Sequence, residues 1–330
     1  MNRSTSENRS GLIMAPGIII ADITLSTIAT LLGFLGNAGV CFLLRKRSEL
    51  RKVPHYLFAS LGVNGVFSCL LNLPSRLAMI VMVYLLDSPV SAEAACYVLV
   101  PSGFACGILN AVTLSLMAID RQDCVLRPFN RRMSQRNIIK VIAISWMGIS
   151  VLTSVIIVHS FSHKSQACDI IPKIKGSDPI YIYIGTLMIS FNVIAVFIIV
   201  ITALRVVKRL RSSPLPEARS QHRRQENRLT WLTYKICGVF LVCWLPLFVC
   251  FPLAQFEKHS GDILIGVVII ALAMSNFIYV VNPFLYYKML KQRPVNIPKV
   301  AVVVAGRDRE INSTNNVQQH VNNSVYDTHL

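Results

Sequence analysis

The sequence predicts an all-α membrane protein, built as a bundle of seven transmembrane helices. Its 330 residues are 53% hydrophobic and 15% charged, with a mean hydropathy of +0.54, whereas a soluble domain carries about 25% charged residues. At about 1.5 Å of helical rise per residue, each of seven apolar runs is long enough to cross roughly 30 Å of hydrocarbon. The runs occupy residues 18–44, 54–86, 94–126, 137–160, 179–208, 228–256 and 262–290.

The placement of charge predicts the topology of these runs. A net charge of +17 would suit nucleic acid, but the lysines and arginines cluster after the first, third and fifth runs, at residues 45–52, 127–140 and 208–228. Cytoplasmic loops of membrane proteins carry this bias. We therefore expect an extracellular amino terminus, a cytoplasmic carboxyl terminus and no nucleic-acid partner.

The two ends of the chain differ in composition from the predicted bundle at 18–292. Residues 1–17 are polar and contain acceptor sequons for N-glycosylation at Asn2 and Asn8. They lack the features of a cleaved signal peptide. Residues 293–330 are rich in Asn, Ser and Gln, so we expect a disordered tail. Its Thr328 and Leu330 form the kind of carboxyl terminus that PDZ domains bind by strand addition.

The third run carries the most informative motif. Cys96 lies near its start and Asp120-Arg121 near its end, about 36 Å further along a helix. Charges at the end of a membrane helix can pair with groups on neighbouring helices. The stretch from Asp120 to Phe129 resembles the end of helix three in rhodopsin-like (class A) G-protein-coupled receptors, except that Gln122 replaces the usual tyrosine.

Other runs carry further motifs of the same family. They are Gly36-Asn37 in the first run, Phe240 with Cys243-Trp244-Leu245-Pro246 in the sixth, and Asn282-Pro283-Phe284-Leu285-Tyr286 in the seventh. The resemblance implies a plasma-membrane receptor embedded in the lipid bilayer, coupled to a heterotrimeric G protein, with no enzymatic activity and no cofactor. It also implies an activation switch made of Asp120, Arg121, Glu226, Phe240, Trp244, Pro246, Asn282, Pro283 and Tyr286.

Glu226 is the member of this set with two interpretations. It precedes Trp244 by eighteen residues, which is five helical turns. The resemblance implies an acid there that pairs with Arg121 in the resting state. Glu226 also lies among arginines, and a solvated charge that contributes little is the alternative.

Besides Gln122, three positions depart from the family pattern. The acid of the second run is replaced by Gly65, or by Asn64 in the other register, so we expect no interior metal site, since hard cations prefer charged oxygen ligands. Ile194 replaces a kink-forming proline of the fifth run, which predicts a straighter helix. Thr202 replaces an inward tyrosine and is too short to reach Arg121.

The resemblance also outlines a ligand cavity at the outer side. Gly103 lies where amine receptors carry an acid, and Asn276 lies where opsins carry the retinal lysine, so a peptide, an acid or a lipid is favoured over an amine. Arg76, two residues after Pro74, either anchors an acidic ligand or else reaches the interface or pairs with a neighbouring helix. The predicted lining consists of Arg76, Gly103, Phe104, Thr186, Ser190, Trp244, Phe248, Leu272 and Asn276.

Two alternatives concern function and regulation. The departures at Gln122, Gly65, Ile194 and Thr202 would also suit a non-signalling or constitutively active seven-helix protein that acts as a scaffold for other receptors. In the second cytoplasmic loop, Arg131 and Arg132 precede Ser134, so a basic-directed kinase is one hypothesis, and a phosphate on Ser134 would form new charge-assisted bonds with the neighbouring arginines. The alternative, which the sequence favours, is a merely basic loop.

A disulfide is the first testable prediction. Cys96 and Cys168 both fall in connections assigned to the oxidising outside, and the resemblance implies that they pair. Replacing either one is expected to lower surface expression equally, and the double variant is expected to be no worse, because one bond is broken in each case. Flow cytometry of tagged receptor measures this. Additive losses would contradict the pairing.

Overall fold

Nine α-helices form the part of the chain that the computed structural model describes, which comprises residues 16–46, 53–84, 86, 89–127, 131–162, 179–212, 221–256 and 262–291. No strand occurs in these ranges. The helices are α1 Pro16–Lys46, α2 Val53–Phe67, α3 Leu73–Tyr84, α4 Pro89–Leu126, α5 Gln135–Ser162, α6 Pro179–Ser212, α7 Gln221–Phe256, α8 Asp262–Asn276 and α9 Ile278–Lys291.

The helices make seven spans, each long and apolar enough to cross a membrane. A π-helical turn, Ser68–Asn72, joins α2 to α3 in the second span, and α8 and α9 together make the seventh. The predicted fold class is confirmed. Several helices extend beyond the apolar runs predicted from the sequence. For example, α7 begins at Gln221, whereas its apolar run begins near residue 228. A helix continues where its own backbone bonds are satisfied, whereas hydropathy marks only the part that suits hydrocarbon.

The third span, α4, is the centre of the bundle. Within its most apolar window 67% of the residues are buried, against 11% for α5. One face of α4 contributes Leu114 and Met117 to the main core, which also contains Phe240 of α7. Another face packs Ile108 against Ile149 of α5. The helix that carries Asp120-Arg121 is therefore the central helix, against which other helices of the bundle pack.

The motif of the first span supports the motif of the seventh. Pro283 has no N–H, so the carbonyl four residues before it, that of Tyr279, loses its helical donor. The Asn37 amide nitrogen donates to that carbonyl at 2.7 Å and to the Gly33 carbonyl at 2.7 Å. A Cβ on Gly36 would lie 2.8 Å from the Pro283 ring. Glycine thus permits the close approach that lets Asn37 reach the freed carbonyl.

The seventh span is interrupted at Phe277. The Phe277 N–H bonds to the carbonyl three residues before it, that of Met274, at 3.0 Å. The side chains of Ser275 and Asn276 both donate to the Leu272 carbonyl, at 2.8 and 2.9 Å. Such bonds compete with the helical ladder and bend it. The interruption separates α8 from the segment that holds Asn282 and Pro283.

Helices α6 and α7 are separated by a groove. The absence of proline leaves α6 one continuous helix, with Ile194 on its exposed side. It packs extensively on α4 and only sparsely on α7. The intervening groove has a volume of about 260 Å³, and a Cβ on Gly238 would contact nothing. The weak packing leaves α7 to be held mainly by α4 and α8.

The bond from Asn37 generates a stability prediction. Asn37→Leu keeps the size of the side chain but leaves the Tyr279 carbonyl without its donor, which is expected to cost about 1–3 kcal/mol. The melting temperature of the purified full-length protein in detergent measures the loss. Thr24→Val is the control, because the Thr24 hydroxyl bonds only to a carbonyl of its own helix. Equal melting temperatures for the two variants would contradict the proposed role of Asn37.

Candidate functional site

Arg121 is the largest fully buried side chain in the part of the bundle that the structure describes, with 1% of its surface exposed. Its Nε donates to the Asp120 carboxylate at 2.9 Å, and its Nη2 contacts the same oxygen. Its Nη1 donates to Glu226 of α7 at 2.8 Å. The structure therefore forms the contact that the resemblance implied. The contribution of this contact to activation stays a prediction.

Glu226 has further partners that sequence reasoning missed. Its Oε1 lies 3.3 Å from Nη2 of Arg131, in the connection between α4 and α5. Its Oε2 lies 3.3 Å from the Cys124 thiol, which is itself 3.2 Å from Arg131. The carboxylate thus lies between two guanidinium groups and a thiol. We call Arg121, Cys124, Arg131 and Glu226 the Glu226 cluster.

Gln122 and Thr202 are the departures from the family pattern on α4 and α6. The Gln122 side-chain oxygen is buried and has no hydrogen-bond partner among the described residues. The Thr202 hydroxyl donates to the Ile199 carbonyl of its own helix at 2.9 Å.

Three aromatic side chains of α7, Phe240, Trp244 and Phe248, lie next to one another along the helix. The Trp244 ring lies 5.8 Å from that of Phe240 and 5.9 Å from that of Phe248. Trp244 is buried, and its indole N–H has no hydrogen-bond partner among the described residues. A Cβ on Gly107 of α4 would lie 3.4 Å from the Trp244 ring. Packing alone therefore holds the tryptophan in position, two residues before Pro246.

The seventh-span motif faces the second span. Tyr286 is 1% exposed, and its ring centroid lies 4.7 Å from that of Phe58 and 6.4 Å from that of His55. Asn282 is also buried. The switch residues thus occupy two groups in the described structure, one on α4 and α7 and one on α9 against α2.

Buried amides occupy the interior where an acid was missing from the sequence. Asn64 donates to the Cys106 carbonyl at 2.9 Å, and both polar atoms of the buried Asn110 amide lack a partner among the described residues. A Cβ on Gly65 would lie 2.5 Å from the Asn37 side-chain oxygen. There is no room for an acid at this position unless Asn37 moves. In the described ranges no three His, Cys, Asp or Glu side chains come together as metal ligands.

Arg76 is buried at the other end of the bundle and carries a partner that sequence reasoning missed. Its Nη2 lies 2.8 and 3.0 Å from the two carboxylate oxygens of Asp22, on α1, and 3.0 Å from the Ile269 carbonyl of α8. Of the two interpretations of Arg76, the structure contains the pairing with a neighbouring helix. An acid inside the first apolar run was the available signal, since such a charge requires a partner.

The remaining predicted ligand-binding residues are placed as follows. Phe104 is buried against α5 near Ile149 and Ile156, and a Cβ on Gly103 would lie 2.8 Å from the Asn72 amide. Thr186 and Ser190 are exposed on α6, where the Ser190 hydroxyl bonds to the Thr186 carbonyl. The structure brings together Trp244 with Phe248, and Asn276 with Leu272.

Several predicted sites lie outside the described residues. They are the glycosylation sites Asn2 and Asn8, the Cys96 side chain and Cys168, and the terminal residues Thr328 and Leu330. Ser134 is described and exposed. Its hydroxyl accepts a hydrogen bond from the Asn137 backbone N–H at 3.2 Å, so it caps the first turn of α5.

Comparison with known proteins agrees with this arrangement. Residues 36–286 match the model of the 7 transmembrane receptor (rhodopsin family). The neuropeptide Y receptor type 2 of Mus musculus is 28% identical over 78% of this chain and 69% of its own length. The corresponding Homo sapiens receptor is 26% identical over 66% and 58%. The D(1C) dopamine receptor of Xenopus laevis is 27% identical over 71% and 54%.

The match runs from the Gly36-Asn37 motif to Tyr286 and so includes every motif that suggested the family from sequence. Against the neuropeptide Y receptor of Homo sapiens and the dopamine receptor, the chain spans less than two thirds of the relative's length. The matched proteins are receptors rather than enzymes, and this chain is likewise a multi-pass membrane protein and not an enzyme. The chain belongs to the rhodopsin family of seven-transmembrane receptors.

Proposed function

We propose that this protein is a G-protein-coupled receptor of the plasma membrane, which transmits the binding of an extracellular ligand to a heterotrimeric G protein. The observation that carries the proposal is the ion pair between Arg121 and Glu226. It joins the central helix to α7, the helix that is only sparsely packed on α6. Breaking this pair would release the cytoplasmic end of α7. The Lys/Arg bias supports an extracellular amino terminus and a cytoplasmic carboxyl terminus.

The proposed ligand is a peptide, an acid or a lipid rather than an amine. The relatives include receptors named for neuropeptide Y and for dopamine, so they do not separate a peptide from an amine. The site residues favour the first group. Gly103 offers no carboxylate, and the Asn72 amide lies where a side chain at Gly103 would begin. The carboxylate of Asp22 is already bonded to Arg76.

Charge at the outer end affects the choice within that group. Because Asp22 neutralises Arg76, an acidic ligand would have to displace a carboxylate that lies 2.8 Å from the guanidinium. A peptide or lipid that binds through apolar and hydrogen-bonding contacts does not need this exchange. Trp244 and Phe248 supply such an apolar surface, and Asn276 carries an amide oxygen.

The second candidate is a non-signalling or constitutively active receptor homologue that serves as a scaffold for other receptors. The hydroxyl of Thr202 bonds within its own helix. If Arg121 left Glu226, the short Thr202 side chain would not reach it as a tyrosine would. This observation favours a protein whose active state is poorly stabilised. A PDZ-domain protein bound at Thr328 and Leu330 would suit either candidate.

The pair between Arg121 and Glu226 generates the test. Glu226→Gln is expected to raise basal G-protein activation several-fold, because a partly exposed pair is worth about 1 kcal/mol, or a factor of about five in population. Arg121→Ala is expected to abolish basal activation. Biosensors of G-protein dissociation, read at matched surface expression, measure both. Asn227→Ala is the control, since Asn227 is the exposed neighbour of Glu226.

Three outcomes would count against the signalling proposal or its argument. If basal activation is detectable and Arg121→Ala leaves it unchanged, the pair is structural. If no G protein responds to the wild type, to Glu226→Gln or to any ligand of the favoured classes, the scaffold candidate replaces the receptor. A change in Asn227→Ala equal to that in Glu226→Gln would show that the site tolerates no substitution and would remove the argument from the ion pair.

The absence of an acid at Gly65 generates a second prediction. Physiological sodium is expected to have no selective negative effect on signalling, compared with a bulky organic cation at equal ionic strength. Gly65→Asp is expected to lower the melting temperature rather than to create sodium sensitivity, because its side chain would meet the Asn37 amide. Concentration–response curves in the two salts measure the first effect. A sodium-specific shift in the wild type would sink the prediction.

A further inference from the structure

In the Glu226 cluster, two cations that differ in burial and in distance hold the Glu226 carboxylate. Arg121 is 1% exposed and comes from the central helix, whereas the Arg131 side chain is 35% exposed and comes from the second cytoplasmic loop. The Arg131 contact is also longer, at 3.3 Å against 2.8 Å. Arg131 is therefore the partner that another anion can remove without disturbing the core.

A site for such an anion lies three residues further along the chain. Ser134 is exposed, its hydroxyl accepts the Asn137 N–H, and its carbonyl accepts the Ile138 N–H at 3.0 Å. It is the N-cap of α5, a helix of 28 residues. Negative charge is stabilised at a helix amino terminus by backbone N–H groups and by the helix dipole. Three residues of chain span at most about 10 Å, which is within the reach of an arginine side chain.

We propose that Ser134 is a phosphorylation site and that its phosphate withdraws Arg131 from Glu226, which weakens the restraint on α7. The proposal rests on the proposed function, because it assigns a regulator to the same ion pair. A protein kinase transfers the γ-phosphoryl group of ATP to Ser134 Oγ. An O–P bond forms, the bond to the leaving nucleoside diphosphate breaks, and the hydroxyl proton is released. Arg131 and Arg132 precede the serine as the basic recognition element.

The competition follows from charge and geometry. A phosphoserine carries nearly two negative charges and three acceptor oxygens, whereas Glu226 offers one charge. Arginine binds phosphate through two parallel N–H···O bonds, but only one Arg131 nitrogen contacts the Glu226 carboxylate. Glu226 then keeps Arg121 and loses its second cation. The effect is a partial release of α7 rather than its detachment.

Arg132 provides a matched control for Arg131. It has the same charge, is exposed, stands next in the chain, and makes no contact with Glu226 among the described residues. Arg131→Gln is expected to loosen the cytoplasmic end of α7 without phosphorylation. Arg132→Gln is expected to leave it as in the wild type. Both keep the fold, because their side chains lie at the surface.

The experiment uses the full-length protein in lipid nanodiscs, treated with ATP and a basic-directed kinase, with site occupancy read by mass spectrometry. Hydrogen exchange of the first turns of α7 is the readout, and it requires no G protein. Phosphorylation is expected to speed this exchange several-fold in the wild type. It is expected to have no effect in Ser134→Ala, which controls for phosphate elsewhere. Because Arg131 also belongs to the kinase recognition element, Arg131→Gln is compared with the wild type at equal Ser134 occupancy, where phosphorylation is expected to add nothing.

Three results would overturn the proposal. The first is that Ser134 stays unmodified after kinase treatment while other serines in the chain are phosphorylated. The second is that phosphorylated wild type exchanges at the same rate as treated Ser134→Ala. The third is that the phosphate effect persists in Arg131→Gln and vanishes in Arg132→Gln, which would assign it to the other arginine. If α7 exchange responds as expected but no G protein is activated, the regulatory inference stands and the proposed function fails.

Discussion

The structure depends on one buried cation. Arg121 lies inside an apolar bundle with 1% of its surface exposed, and an unpaired charge there would cost far more than the net stability of a domain allows. Asp120 is its neighbour in sequence and stays with it however the helices move. Glu226 can therefore leave without stranding the guanidinium. Because Asp120 remains bonded to Arg121, the contact between α4 and α7 can break and form again, although both partners are charged.

A second constraint is that a membrane helix must satisfy its backbone internally. Pro283 breaks that rule for the Tyr279 carbonyl, and Asn37 repairs the defect from another helix at 2.7 Å. Gly36 is needed because α1 must approach the proline ring closely. The motifs of the first and seventh spans are thus one structural unit. The same Asn37 amide fills the space beside Gly65, where a larger side chain would displace it.

Hydropathy was enough to predict the seven spans, and the resemblance was enough to predict that Glu226 meets Arg121. The contacts that sequence reasoning missed depend on side-chain direction. Asp22 and Arg76 are separated by 54 residues, and only the packing of α1 against α3 brings them together. Arg131 and Glu226 are separated by 95 residues, and only the packing of the helices brings them together. Counting from the motifs placed Phe104 in the lining of the predicted ligand cavity, but it did not predict that the ring packs against α5.

Helix α7 carries both the aromatic side chain of Trp244 and the carboxylate of Glu226. Helix α7 is continuous from Gln221 to Phe256, and Trp244 stands about 27 Å from Glu226 along it. Trp244 is held by packing without a hydrogen bond to the described residues, so its ring can shift without breaking a polar contact. The sparse packing on α6 leaves room for α7 to move with it. Near the other end of α7, two arginines share the Glu226 carboxylate, and Arg121 holds the helix against α4.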